Sequence, residues 1–224
     1  MLVILFGGKD MLERLKTGLT TFKEVTYKKY ERLYHDLEQT QDPHTLFIAC
    51  SDSRVSPDML LDSDPGEVFT IRNIANTIPA YEVSQNDITT VSSIEYAIEV
   101  LGVEEVIVCG HSNCGGCAAA LQGPKNLERL PFTQHYLKPL ECVKEKIEAA
   151  QSDMDERSKA RLMEKMNVIE QVEHLKSYPE MQERLKRGEL EIEGWYYDIK
   201  SGSVSVYDES TDSFCVSDEY QNVH

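Results

Sequence analysis

Apolar positions in the first forty residues recur at helical spacing. Leu12, Leu15, Leu19, Phe22 and Val25, then Tyr30, Leu33, Tyr34 and Leu37, share a face with charges between them. The pattern predicts a helix from Met11 to about Gln41. Beyond Pro43 the period changes. Thr45–Cys50 (TLFIAC) is a continuous apolar run, the signature of a buried strand, and Glu67–Asn73 (EVFTIRN) is a second behind the Asp64-Pro65-Gly66 turn. Ile88–Leu101 returns to helical period and stops at Gly102, where a helix-ending glycine belongs. Glu105–Gly110 is a third strand, followed by the small, alanine-rich Gly115–Gln122 helix.

Pro139 to Lys186 reads as a long polar helical region of two or three helices, broken near Ser152 and Tyr178-Pro179. Leu190–Asp198 and Val204–Tyr207 form a closing strand pair joined through Ser201-Gly202-Ser203. Strands alternating with helices imply an α/β fold, a mainly parallel sheet flanked by helices. With a helical arm at the N-terminus and a strand pair at the C-terminus, 1–224 is expected to be a single domain, since no repeat or flexible linker interrupts it.

The opening MLVILFGGKD has neither a basic stretch before its apolar residues nor a small-residue cleavage site after them. Residues 1–10 read as a leader or a start-site extension, Met11 being an equally good initiator. No run approaches the roughly 20 apolar residues of a membrane span. The expected location is cytoplasmic, with no membrane partner. Lys and Arg number 23 against 39 Asp and Glu, for a net charge of −16, which argues against nucleic acid as a partner. Six cysteines in 224 residues are too few and too uneven for a disulfide scaffold and suit a reducing compartment.

In an open parallel sheet, ligands bind beyond the carboxyl ends of the strands. There the chain places Cys50-Ser51-Asp52-Ser53-Arg54 after the first strand and His111-Ser112-Asn113-Cys114-Gly115-Gly116 after the third. Two thiolates and an imidazole suit Zn²⁺, and three protein ligands leave the open fourth position of a catalytic site. Each piece has a plainer reading. A cysteine after a strand is commonly just buried, and Cys114-x-x-Cys117 also fits a redox dithiol or a fourth ligand. Cys109, Cys142 and Cys215 read as packing residues. His35, His44, His135, His174 and His224 fit no ligand spacing.

Taken together, CSDSR, RNIAN (Arg72–Asn76) and GHSNCGG resemble the β-class carbonic anhydrases, over a stretch from about Met11 to Tyr207. The resemblance implies one Zn²⁺ per subunit held by Cys50, His111 and Cys114, and a catalytic Asp52–Arg54 dyad. It implies reversible hydration of CO2 to bicarbonate and a proton, by attack of zinc-bound hydroxide. Asp52 is expected to accept a hydrogen bond from that hydroxide, and Arg54 to fix the carboxylate through a bidentate pair. Similarity further suggests an apolar substrate wall of Phe69, Ile74 and Tyr96. The Gly115 amide is expected to donate to a substrate oxygen, and Gln41 to reach across a dimer interface.

The family subtype inhibited by bicarbonate at a second site carries a tryptophan three residues before the first ligand cysteine. Phe47 stands there in this chain, although Arg72 and Tyr197 are suitably placed. The expectation is therefore the unregulated, glutamine-bearing subtype with an open zinc position at neutral pH. Residues 11–41 match a dimerisation arm, implying a dimer or a higher even oligomer. The competing readings are a CS2 or COS hydrolase on the same zinc site, and a zinc-binding relative without turnover. The intact Asp52–Arg54 pair speaks against the latter.

Overall fold

A computed structural model describes residues 8–150 and 154–216, so most of the expected leader, residues 1–7, and His224 lie outside the described residues. The chain divides into two units, Met1–Gln41 and Asp42–His224. The first contains α1 (Gly8–Thr21) and α2 (Tyr27–Asp36), joined without a break by a π-helical turn, Phe22–Thr26. Leu12, Leu15, Leu19, Phe22 and Val25 are all exposed along it. Thr17 and Thr21 each return their hydroxyl to the carbonyl four residues earlier, and stacked Tyr27 and Tyr34 close the far end.

The second unit runs β1 (Thr45–Cys50), α3 (Pro57–Leu61), β2 (Val68–Asn73) and α4 (Ile88–Glu95), the last extended by a π turn, Tyr96–Val100. There follow β3 (Glu105–His111), α5 (Gly115–Gln122), α6 (Pro131–Tyr136), α7 (Glu141–Ala150), α8 (Glu156–Lys176) and α9 (Pro179–Arg187). The chain closes with β4 (Glu191–Tyr197), β5 (Val204–Asp208) and β6 (Ser213–Val216). One six-stranded sheet results, in the order β2-β1-β3-β4-β5-β6. The first four strands are parallel, while β5 and β6 are antiparallel additions.

The apolar run of β1 is explained by its central position. Leu46 and Ile48 face a cluster with Ile94, Ala97, Val168 and Val172, while Phe47 and Ala49 face Val55, Ile107, Cys109 and Trp195. Strands covered on both sides lose the alternation of a half-exposed sheet. Each such aliphatic or aromatic side chain contributes about 1.5–3 kcal/mol on burial. Helix α8 starts at an Asp155 cap that accepts from the main-chain N–H groups of Arg157 and Ser158. It then lies hard against β3 and β4. A Cβ on Gly110 would stand 2.4 Å from Val168 Cγ2, and one on Gly194 2.9 Å from Val168 Cγ1, so only glycine fits beneath that valine.

The long polar region resolves into α7, α8 and α9, with Pro179 at the first position of the last. Several elements depart from the sequence reading. Helices α3 and α6 and the 3-10 turns, Pro124–Leu127 among them, are too short to show a period, and β6 adds a strand beyond the anticipated pair. Four residues offer no periodic signal, and β6 is held by register with β5.

Candidate metal centre

Neighbouring parallel strands β1 and β3, with Ala49 opposite Cys109, bring their carboxyl ends to one edge. Cys50 ends β1, His111 ends β3, and Cys114 follows as the residue capping the start of α5. The three residues are 5%, 1% and 1% exposed. Their ligating atoms all lie within 4.8 Å of one another. The two sulfurs are 3.9 Å apart. Tetrahedral coordination with Zn–S bonds of about 2.3 Å separates two sulfurs by about 3.8 Å.

His111 makes the decisive contribution. Its Nδ1 lies 3.1 Å from the carbonyl of Ser112. A carbonyl only accepts, so we assign the proton to Nδ1, leaving Nε2 with a free lone pair. That Nε2 is buried and has no hydrogen-bond partner among the described residues. An orphaned imidazole nitrogen is costly unless something electrophilic meets it. The neighbouring Cys114 thiol and burial together push the Cys50 thiol up to about 12. Contact with Cys117, joined by burial, likewise raises Cys114 to about 12. Two thiols packed together resist joint ionisation, and a divalent cation reverses that preference. The donor set fits Zn²⁺. Among the described residues, no other group of three His, Cys, Asp or Glu side chains converges in this way.

Asp52 and Arg54 meet as the spacing suggested. Arg54 donates Nε to Oδ1 at 2.9 Å and Nη2 to Oδ2 at 2.7 Å, and its main-chain N–H adds a third bond to Oδ1 at 3.0 Å. The guanidinium holds the Asp52 carboxyl well below the usual carboxylate range. Asp52 Oδ2 lies 4.0 Å from the orphan His111 Nε2. Arg54 Nη2 also reaches the carbonyl of Asn113 at 3.0 Å, tying the dyad to the loop between the ligands. Arg72 braces the other side, donating to the carbonyls of Cys50 at 3.1 Å and Asp52 at 2.7 Å.

Phe69 is half-buried and stacks on Tyr96 with ring centroids 6.2 Å apart, while Tyr96 and Ile74 are exposed. Phe69 and Ile74 line a 490 Å³ cleft with Ser51, Arg72 and Tyr136. Gly115 opens α5, where the first N–H groups of a helix lack intrahelical partners. Gln41 is exposed and closes the first unit. Phe47 is fully buried, edge-on to Trp195. Cys109 is buried, as a packing residue should be, Cys117 is buried too, and Cys142 and Cys215 are half-buried. His35, His44 and His135 lie at the surface, whereas His174 is half-buried and bonded to the carbonyl of Ile78.

Sequence reasoning missed four side chains that hold this site from behind: Arg161, Glu164 and Asn167 on α8, and Tyr196 on β4. The available signal was positional. Glu164 and Asn167 share the face of α8 that buries Met163, Val168, Val172 and Leu175, where an unpaired charge or amide is expensive.

A profile of the carbonic anhydrase family matches residues 45–204. The chain is 36% identical over 193 residues to a carbonic anhydrase of Helicobacter pylori strain J99, covering 85% of this chain and 87% of that one. A carbonic anhydrase of Synechocystis is 34% identical over 197 residues, covering 88% and 71%. Among solved structures, the β-carbonic anhydrase CcaA superposes with a TM-score of 0.88 at 33% identity, covering 92% of this chain and 99% of its own. The Coccomyxa β-carbonic anhydrase in complex with acetazolamide gives 0.78 at 28% identity, covering 94% and 95%.

Proposed function

The chain belongs to the β-class carbonic anhydrases, and from that premise we propose how its own residues divide the work. The protein is a zinc-dependent carbonic anhydrase that interconverts CO2 and bicarbonate, with Cys50, His111 and Cys114 binding one Zn²⁺. The observation that carries this reading is the buried Nε2 of His111, without a hydrogen-bond partner among the described residues, beside two sulfurs 3.9 Å apart. Zinc held by these three residues would lower the pKa of water and so supply a nucleophile near neutral pH.

Asp52 is the orienting acceptor. Ionised and unable to donate, its carboxylate would accept a hydrogen bond from the attacking hydroxyl group and so orient it towards CO2. Arg54 keeps that carboxylate charged and correctly aimed, a role supported by its three bonds to it. Phe69, Ile74 and Tyr96 supply an apolar wall for a substrate without a net dipole. The Gly115 amide donates to the substrate oxygen that gains charge.

The arm comprising α1 and α2 mediates self-association, as a dimer or a higher even oligomer, and Gln41 serves the neighbouring subunit's site. The exposed stripe from Leu12 to Val25 supports this, since such a surface is ordinarily covered. Among the described residues no helix is long and apolar enough to cross a membrane, and the working location is the cytoplasm. The net charge of −16 argues against nucleic acid as a partner.

Stopped-flow CO2 hydration, run beside sulfide release from CS2, tests the assignment. Rapid hydration that disappears on zinc removal is expected. Fast sulfide release with negligible hydration would assign the site to CS2 instead.

A further inference from the structure

Glu164 is 3% exposed, and nothing in the chemistry above employs it. Its Oε1 accepts the main-chain N–H of Cys114 at 3.1 Å. Its Oε2 accepts Arg161 Nη1 at 2.8 Å and the Tyr196 hydroxyl at 2.7 Å. Arg161 continues through Nη2 to Asn113 Oδ1 at 3.1 Å. Asn113 has φ +56°, a left-handed conformation that needs support, and its carbonyl is the one held by Arg54. Two successive residues of the loop between His111 and Cys114 are therefore clamped from α8.

We propose that Glu164 is a positioning residue of the zinc site. Braced by Arg161 and Tyr196, it fixes the main chain at Cys114 and so the direction from which Cys114 Sγ meets the metal. The inference rests on the zinc reading above. Cys114 precedes the first turn of α5, so no helical carbonyl reaches its N–H, and Glu164 supplies the acceptor. Without that bond the residue is free to rotate about φ, and the sulfur moves away from its place 3.9 Å from Cys50 Sγ. A partly buried ion pair is a weak source of stability compared with apolar packing, and what distinguishes this one is the ligand it holds.

The test compares wild type with Glu164→Gln, Tyr196→Phe and the double variant Arg161→Leu/Glu164→Leu, each loaded with zinc or cobalt. Glutamine keeps the size but offers one oxygen where the carboxylate uses two. Loss of an outer partner of a metal ligand costs about 10–100-fold in affinity or activity. Zinc affinity against a competing chelator should fall by that factor in Glu164→Gln and in the double variant, and by less in Tyr196→Phe. The thiolate-to-cobalt charge-transfer absorption should shift in parallel, a change that a purely structural role would not produce. The double variant replaces the ion pair with apolar side chains and is expected to fold. If it folds with wild-type affinity and spectrum, the proposal is overturned. Should it fail to fold, wild-type affinity and spectrum in Glu164→Gln overturn the proposal equally. A wild-type chain that takes up neither metal ion overturns the zinc reading itself.

Discussion

Asn167, fully buried on α8, donates Nδ2 to the main-chain carbonyl of Ala75 at 2.9 Å. Ala75 has φ +60° and Asn76 φ +46°, so two consecutive non-glycine residues sit in the left-handed region. Ile74, immediately before them, lines the cleft with Ser51 and Arg72. Asn167 Oδ1 meanwhile accepts Gln171 Nε2 at 3.0 Å, and Gln171 Oε1 accepts the N–H of Ile78 at 2.7 Å. Strain at a functional turn persists where surrounding contacts over-determine it, and this amide relay does so.

Asn167→Ala removes the relay's first member and leaves the Ala75 carbonyl and the Gln171 amide unsatisfied in the interior. Each buried unmet group costs about 1–3 kcal/mol. Denaturant unfolding should show a loss of at least ~1 kcal/mol, equivalent to about 2–4 °C in Tm for a chain of this size. A change below ~0.5 kcal/mol would mean that the turn holds itself.

Asp52→Asn and His111→Ala should separate orientation from binding. His111→Ala removes the ligand nitrogen, and both zinc content and hydration should vanish. Asp52→Asn touches no ligand, so zinc measured by metal analysis should stay near one per subunit while turnover drops by about 10²–10³, the scale of losing one oriented polar group at the reacting centre. An asparagine variant with wild-type turnover would remove Asp52 from the chemistry.

Much of this site was legible in the sequence because its ligands sit at strand ends. Strand β1 is an unbroken apolar run ending in Cys50, β3 ends in His111, and a parallel sheet puts such ends on one edge. The Asp52–Arg54 pair is local, two residues apart, so spacing alone brought the groups into reach. Glu164 and Tyr196 were not legible as site residues. They stand 50 and 82 positions beyond Cys114 in the chain, and only the packing of α8 on Gly110 and Gly194 brings them behind it. Helix α6 was invisible for another reason: six residues, the first a proline, display no period.

Lys146 on α7 and Glu170 on α8 form an ion pair that Cys142 and His174 also approach. Burial pushes the Glu170 carboxyl up, but the Lys146 ammonium outweighs it, and the net shift is downward. Lys146 is shifted upward, chiefly by the same bond. A lowered carboxyl contributes stability above its unfolded pKa of about 4.3, and a raised ammonium contributes below about 10.4. The pair should therefore stabilise the fold between those limits, and its contribution should fade as the pH falls through the lowered Glu170 value. Lys146→Met should unfold more readily than wild type at pH 7, with the gap narrowing as the pH falls below about 4. A gap independent of pH would assign the effect to lost packing of the lysine stem.

Gly115 and Gly116 stand side by side at the start of α5, yet substitution should treat them differently. A Cβ on Gly115 meets nothing within 4 Å, whereas one on Gly116 would lie 2.9 Å from both Ala75 Cβ and Ile74 Cγ2. Neither neighbour is the loose end of a flexible chain, and Ala75 is pinned by Asn167. Gly116→Ala must therefore push the 74–76 turn outwards. Overpacking of this kind costs about 1–3 kcal/mol, and it displaces Ile74 from the proposed substrate wall. Both variants keep their amide N–H and the same gain in helix propensity, so each serves as the other's control. Thermal unfolding should place Gly115→Ala at or above wild type and Gly116→Ala several degrees below. The zinc content of Gly116→Ala should be unchanged and its KM for CO2 raised. Equal melting temperatures for the two would show that the turn yields without cost, and that the contact between α5 and Ala75 does not hold the wall in place.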